Sequence, residues 1–464
     1  MKKAENMTVK IHITTLGCPK NTVDSGHLAR RFEAEGFIQV EESGEADILL
    51  VNTCGFVRDA KEESVDEILR LAEIKKGQER GSAKSLLVFG CLAKRYGAEL
   101  TQEIPEIDGL WGVSEEEGIV EYCKGLQMRK GGEAGAKRAG RLAAPAAASS
   151  AEPGFMTSYA YLKIAEGCDK KCTFCVIPSI RGKFRSVPRA EVLQEAGDLV
   201  RSGVRELILV AQDITSYGKE TAGSTLAALL REMVCLPGDF FIRLLYLYPT
   251  EIADELLEVI ASEDKILKYI DIPLQHSEDR ILRLMGRRGT RKEYLRLIRN
   301  IRRRIPSIAL RTTFIVGFPS ETEEDFQGLV DFIEEVRFER LGVFKFSREE
   351  GTPSAALKGQ VPEKVKERRY DEIMGRQALI SLERNRELVG KRLPAVIDEA
   401  DAEAVIARLS SHAPEIDGAV IIEKDGMPAA GSLTGALKAG DVVTVEVVDA
   451  YDYDVKGRIV GPRA

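Results

Sequence analysis

The run GCDKKCTFC places Cys168, Cys172 and Cys175 in a C-x3-C-x2-C spacing. Three such closely spaced thiols can wrap one face of a cuboidal iron–sulfur cluster, since soft thiolates suit iron–sulfur chemistry. No fourth cysteine follows locally, so one iron is left open to a substrate. Zinc is the competing reading. Its structural sites take four ligands in paired spacing, and neither a His nor a fourth Cys lies near this run. Three more cysteines each end an apolar run: Cys18 after VKIHITTLG, Cys54 after ADILLVNT and Cys91 after SLLVFG. They are 36 and 37 residues apart, about one βα unit each. Parallel strands of one sheet would bring these thiols to the crevice at their carboxyl ends. Cys123 and Cys235 sit in helical or helix-end stretches without partners and read as small packing residues.

The elements that must position these thiols alternate. Before residue 129 the apolar runs VKIHITT, ADILLVNT, SLLVFG and GLWGV are separated by helical patterns such as AKEESVDEILRLAEIKK. Strand–helix alternation implies a parallel sheet with right-handed crossovers. Residues 129–153 include nine Ala and four Gly between 131 and 151 and read as a linker. From 154 to 389 the alternation resumes with YAYLKIAE, ELILVAQD, FIRLLYLYP, KYIDIPLQ, ALRTTFIVGFP and RLGVFKFS. Six βα units suggest a partial (βα)6 barrel, with the Cys168 loop at the carboxyl end of its first strand, where barrel sites form. From 390 to 464 the short runs LPAVIDE, AVIARLS, GAVIIEK and DVVTVEVVDA read as a small all-β barrel. The fold class is therefore α/β, with domains at 1–128, 154–389 and 390–464.

A C-x3-C-x-aromatic-C run at the end of a first barrel strand resembles the radical S-adenosylmethionine superfamily. The resemblance implies that the methionyl group chelates the open iron and that one electron then yields a 5′-deoxyadenosyl radical. It also implies cofactor contacts by Phe174 in the aromatic slot, by Gln212 in VAQDITSYG, by Arg185 and Ser186 in RGKFRSVP, and by Gly317 in TTFIVGFPSET. His276 in DIPLQH reads as a structural residue. With the strand-end cysteines included, the chain is similar to the methylthiotransferase family: an N-terminal methylthiotransferase domain, a radical barrel and a C-terminal TRAM-type barrel. TLGCPKNTVDS, VNTCGF, RLLYLYP, YIDIPLQH, EEGTPS and HAPEIDG resemble the branch that acts on ribosomal protein uS12. The tRNA branch, the alternative, typically carries Gln and Met where this chain has Pro19 and Lys20. Gly26 and Phe241 depart from common family residues without touching a ligand cysteine.

That resemblance implies two [4Fe-4S] clusters, one on Cys168, Cys172 and Cys175 and one on Cys18, Cys54 and Cys91. It implies S-adenosylmethionine as both methyl donor and radical source, with transfer of a methylthio group to the β-carbon of an aspartate in uS12. An electron donor such as flavodoxin or ferredoxin is implied as well. A monomer is expected.

Composition narrows the partners. The 464 residues include 67 basic and 74 acidic side chains, a net charge of −7, so no global field draws the protein onto nucleic acid or anionic membrane. No apolar run has the length of a spanning helix, and a cytoplasmic protein without membrane attachment is expected. From Lys391 onward there are 8 basic and 13 acidic residues, which suits a basic ribosomal protein better than an RNA backbone. Residues 281–304 carry ten basic residues and one acid, with Tyr294, Leu297, Ile298, Ile301 and Ile305 on one helical face. The arginines then read as a solvated outer face. Because all six ligand cysteines and the cofactor loops precede residue 320, the chemistry is expected not to need the terminal barrel.

Overall fold

The computed structural model describes residues 9–77, 85–130, 158–221, 223–401, 403–423 and 437–462. The expected linker lies outside the described residues from position 131 onward. The chain divides into two units, the first holding the residues before 149 together with Cys175–Lys183, the second the remainder.

In the first unit, β1 (Lys10–Thr15), β3 (Ile48–Thr53), β4 (Ser85–Gly90) and β5 (Ile107–Trp111) form a parallel sheet. A two-residue strand, β2 (Ile38–Gln39), adds an edge beyond β1, giving the order β2-β1-β3-β4-β5. The helices are α1 (Pro19–Ala34), α2 (Arg58–Lys76), α3 (Cys91–Glu103) and α4 (Glu116–Lys130), joined by the short α5 (Ile177–Arg181). Every residue of β3 is buried, as an apolar strand covered on both faces requires. One face packs Leu49, Val51 and Val88 against Ile68, Leu71 and Leu92. The other packs Leu50 and Leu87 against Leu28, Phe32 and Ile119, with Cys123 among them as a small apolar residue.

The second unit opens with β6 (Tyr159–Lys163), the short antiparallel pair β7 (Ala165–Glu166) and β8 (Arg185–Ser186), and α6 (Arg189–Arg201). Then come β9 (Glu206–Val210), α7 (Leu226–Val234), β10 (Phe241–Leu244), α8 (Asp254–Ser262), β11 (Ile266–Asp271), α9 (Asp279–Leu284) and α10 (Arg291–Arg304). The barrel ends with β12 (Ala309–Val316), α11 (Glu323–Val336), β13 (Arg340–Lys345) and the long α12 (Glu363–Arg386). The six parallel strands run in the order β13-β12-β11-β10-β9-β6, so β6 and β13 are free edges of an open barrel. The outward residues, such as Leu207, Leu209, Ile270 and Phe314, form the core beneath the helices. On α10, Tyr294, Ile298, Ile301 and Ile305 are buried as expected. Its arginines do not form a free cationic face: Arg291, Arg299, Arg302 and Arg304 pair with Glu278, Glu335, Glu339 and Asp254 at 2.8–3.1 Å.

The terminal barrel is closed by five strands: β14 (Arg392–Ala400), β15 (Ala404–Leu409), β16 (Val420–Glu423), β17 (Val442–Ala450) and β18 (Val455–Pro462). The last was not expected from sequence. Inward residues of the open barrel include Tyr159, Glu206, Arg243 and Tyr269, and the loop after β15 meets them. The Tyr159 hydroxyl donates to Glu415 at 2.5 Å, Tyr269 to Asp417 at 2.7 Å, and Arg243 to the Ser410 carbonyl at 2.9 Å. Glu206 is held between Arg243 at 2.6 Å and Arg408 at 2.8 Å, all three at most 4% exposed. Burial opposes the Glu206 charge, but the two guanidinium groups outweigh it and hold the carboxyl below its ordinary value. Removing one partner of such a buried pair costs about 3–5 kcal/mol. The terminal barrel is therefore tied to the radical barrel by buried hydrogen bonds and ion pairs.

Candidate active site

Three adjacent strands of the first unit end in thiols. Cys18 is the residue before α1, Cys54 follows β3, and Cys91 opens α3 directly after β4. The three thiols are close enough to act on one another electrostatically. Gly17 makes this approach practicable. Its φ is +94°, and a Cβ there would stand 2.6 Å from the Cys54 Cβ and 2.9 Å from its Sγ. Buried polar groups fix the turns. The Cys54 N–H donates to the Ser64 hydroxyl at 3.0 Å, which returns a bond to the Cys54 carbonyl at 3.1 Å. The Asn52 amide donates to the Asn21 carbonyl at 2.9 Å and to Ser25 at 3.0 Å.

Arg181, at the end of α5, completes this site and was not anticipated from sequence. Its side chain is 1% exposed and donates to Asn21 Oδ1 at 2.6 Å and to Asp24 Oδ2 at 3.3 Å. Its charge acts on all three thiols. Burial disfavours the Cys18 thiolate, but Lys20, Arg181 and the neighbouring backbone N–H groups win, so this thiol lies below its ordinary value. Burial wins at Cys54, whose thiol is pushed up to about 11, and at Cys91, which is raised despite Arg181.

In the second unit, the loop from Cys168 rests on the turn after α9. The Thr173 N–H donates to the Met285 carbonyl at 2.9 Å and its hydroxyl to the Leu284 carbonyl at 2.8 Å. Gly286 has φ +67°, and a Cβ there would meet the Lys171 carbonyl oxygen at 2.4 Å. Lys170, between the first two cysteines, pairs with Glu251 and with Asp213 and lies 4.5 Å from the centre of the Tyr248 ring. Burial raises the Cys168 thiol, opposed by the Lys170 N–H at 3.4 Å. Beside this loop opens a cleft of about 590 Å³, lined among others by Cys168, Lys170, Phe184, Asp213, Tyr248 and Arg288. That volume suits a small-molecule ligand. Cys175 opens the segment grouped with the first unit, and its sulfur accepts the Ile177 N–H at 3.4 Å.

The expected cofactor residues are placed as follows. Gln212 donates to Glu166 at 3.1 Å and leaves its own buried Oε1 without a partner. The Ser186 hydroxyl accepts the Gly218 N–H at 2.9 Å, and its N–H donates to Glu220 on the cleft wall. Arg185 is exposed. Phe174 packs against the cluster of Ile281, Met285 and Phe318. Gly317 has φ +72°, and the Lys366 side chain fills the space a Cβ would take. None of Phe174, Arg185, Ser186, Gln212 and Gly317 lines the cleft. His276 is fully buried; its Nδ1 accepts the Glu278 N–H at 3.0 Å, and its Nε2 has no hydrogen-bond partner. Cys235 is exposed rather than packed, and its thiol donates to the Arg231 carbonyl at 3.2 Å.

Three family models match the chain: an uncharacterised protein family, UPF0004, over residues 10–112, the radical SAM superfamily over 162–333, and a TRAM domain over 389–460. Ribosomal protein uS12 methylthiotransferase RimO of Thermodesulfovibrio yellowstonii is 56% identical over 448 residues, covering 97% of this chain and 99% of that protein. The chain belongs to the ribosomal protein uS12 methylthiotransferase family. The RimO protein of Geotalea uraniireducens is 44% identical over 97% of the chain and 98% of its own length. A solved radical S-adenosylmethionine methyltransferase, TsrM of Kitasatospora setae, shares the fold at a TM-score of 0.52 and 16% identity, over 75% of this chain and 74% of that one.

As a member of this family, the chain carries cysteine thiols whose chemistry suits an iron–sulfur cluster. None of the six cysteines is in a disulfide. Among the described residues no three His, Cys, Asp or Glu side chains close on a single metal ion. A cuboidal cluster asks for a wider spread, because each thiolate binds its own iron. The unpartnered Gln212 Oε1, shut in near the cleft's loops, suits a bound ligand with N–H donors. Among the described residues no helix is long and apolar enough to cross a membrane.

Proposed function

We propose that this chain is a radical S-adenosylmethionine methylthiotransferase that modifies the β-carbon of an aspartate in ribosomal protein uS12. The observation that carries this reading is the pair of cysteine triads on one chain, one from three strand ends and one from a single loop. Near-full-length likeness to uS12 methylthiotransferases supports it. Cys168, Cys172 and Cys175 would hold one [4Fe-4S] cluster, and Cys18, Cys54 and Cys91 a second. When bound, these groups and S-adenosylmethionine supply one-electron bond cleavage and sulfur delivery.

The protein's own residues supply placement. Gly286 and Thr173 hold the cysteine loop down on the turn after α9. Lys170 is tied to Asp213 and Glu251 at the rim of the cleft, which fixes the backbone between Cys168 and Cys172. An unactivated C–H bond has no proton that these side chains could remove, so the chain's task is orientation and exclusion of water. Phe174, Gln212, Arg185, Ser186 and Gly317 are the proposed cofactor contacts. The acidic terminal barrel favours encounter with a basic ribosomal protein, which salt would weaken. A flavodoxin or ferredoxin as electron donor and a monomeric enzyme complete the reading. Mass spectrometry of uS12 from cells with and without this protein tests it. A methylthio group present only with the protein is expected. Unmodified uS12 together with methylthiolated tRNA would assign the chain to the other branch of the family.

A further inference from the structure

Arg287 follows Gly286 in the turn that carries the cysteine loop, and its N–H closes that turn on the Leu282 carbonyl at 2.9 Å. Its guanidinium lies 4.3 Å from the centre of the Tyr248 ring and donates to the Pro273 carbonyl at 2.6 Å. One Nη stands 3.9 Å from the Cys172 sulfur. Its Nε is shut from solvent and has no hydrogen-bond partner. The groups acting most strongly on its charge are Cys172 and the hydroxyls of Tyr248 and Tyr294, and among the described residues no carboxylate pairs with it. A cation kept from water with no anionic partner is costly unless something supplies the counter-charge. Arg181 is different in this respect, because Asp24 is its carboxylate.

We propose that Arg287 is a positioning residue whose counter-charge is the cluster held through Cys172, and that it raises the reduction potential of that cluster. This rests on the reading of Cys172 as a ligand. Hydrogen bonds to ligand sulfurs and the local net charge set cluster potentials. A fixed cation beside one sulfur stabilises the reduced, more negative form. The stacked Tyr248 ring and the Pro273 carbonyl hold the planar guanidinium in place, which a flexible ammonium would match only in charge.

The test uses the full chain in a Cys18→Ala, Cys54→Ala, Cys91→Ala background, so that only the loop cluster is loaded. Arg287→Lys, Arg287→Gln and Arg287→Met are compared for iron content and for midpoint potential in a dithionite titration followed by electron paramagnetic resonance. The Gln and Met variants should show at least a tenfold smaller ratio of reduced to oxidised cluster at the parent's midpoint, about 59 mV for one electron. The Lys variant should recover most of it. Should the neutral variants fail to load iron while Lys loads it, the counter-charge role is likewise supported. A Gln variant with full iron and the parent's midpoint overturns it, as does equal loss of iron in all three. If Cys172→Ala in the same background still binds the full iron, the ligand reading itself fails, a result separate from any of these.

Discussion

The two cysteine triads are built by opposite means. The Cys18, Cys54 and Cys91 thiols come from three turns far apart in sequence, brought together because β1, β3 and β4 are neighbours in one parallel sheet. Cys168, Cys172 and Cys175 come from a single eight-residue stretch whose spacing carries the information locally. The arginines follow the same division. Arg181 is tied into the first site by its own carboxylate and by Asn21, so it belongs to the fold of that site. Arg287 stands beside Cys172 with an idle Nε and, among the described residues, no carboxylate, which is why its proposed partner is what the site binds. A site assembled by topology carries its charge balance within the protein, and a site assembled by a motif leaves part of it to the ligand.

Truncation before Lys391 should separate the two sites most strongly. It takes Arg408 from Glu206, Asp417 from Tyr269 and Arg311, and the Ser410 carbonyl from Arg243. Glu206 keeps Arg243 and Arg311 keeps Asp271, so each loses one of two partners, and the polar interior of the open barrel loses its cover. The truncated chain should lose cleavage of S-adenosylmethionine to 5′-deoxyadenosine while the first unit still binds about four irons. Iron analysis and chromatography of the nucleoside check this, and full cleavage by the truncated chain would break the assignment.

Next in size is the arginine comparison, made by thermal unfolding without iron. Arg181→Met takes from the buried Asp24 its ion-pair partner and should destabilise the first unit by about 3–5 kcal/mol. Arg287→Met removes a ring contact and one hydrogen bond but also relieves a buried cation that has no counter-charge without iron, so it should cost at most about 1–2 kcal/mol. Equal losses would erase the distinction drawn between the two sites.

How far the sequence disclosed all this follows the same line. The loop triplet is legible because its chemistry and its spacing lie in one window. The strand-end triad is legible only once ILLVNT and its neighbours are read as adjacent parallel strands. Arg181 carries no local signal, since Asn21 and Asp24 lie 160 and 157 residues away. Arg287 was hidden inside a basic run that reads as one solvated face, although it turns inward just before α10 begins. β18 escaped because Gly457, Gly461 and Pro462 interrupt its alternation, and closure of the barrel supplies the pairing that local propensity does not. The dependence of the radical barrel on the loop Ser410–Asp417 escaped because it rests on long-range ion pairs.

Gly286→Ala and Gly17→Ala sharpen the comparison on a smaller scale. Both positions have positive φ, and both leave too little room for a Cβ. Each substitution should cost about 2 kcal/mol or more. Gly286→Ala should lower iron at the loop site alone, and Gly17→Ala at the strand-end site alone, as read by iron content in chains lacking the other triad. Cross-effects of equal size would contradict the separation.

The smallest effect is a difference in pH response. His412 is fully buried in the second unit. Burial first, then Arg340, Arg243 and Arg408, push its imidazole well below its ordinary value. The unfolded chain binds a proton there below about pH 6.5 and the folded one does not, so His412 contributes its full stability above that pH and loses it as pH falls. The slope is at most about 1.4 kcal/mol per pH unit. His412→Gln should flatten it, read as unfolding of the second unit between pH 6.5 and 5, and an unchanged slope would exclude His412 as its source.

The central claim is a division of labour between the triads, and Cys54→Ala tests it most directly. The reconstituted variant, given S-adenosylmethionine, reductant and uS12, should still release 5′-deoxyadenosine from the site of Cys168, Cys172 and Cys175. It should yield no methylthiolated uS12 peptide by mass spectrometry. Methylthiolated peptide at the parent's yield, or no 5′-deoxyadenosine from a variant that retains about four irons, would contradict the account.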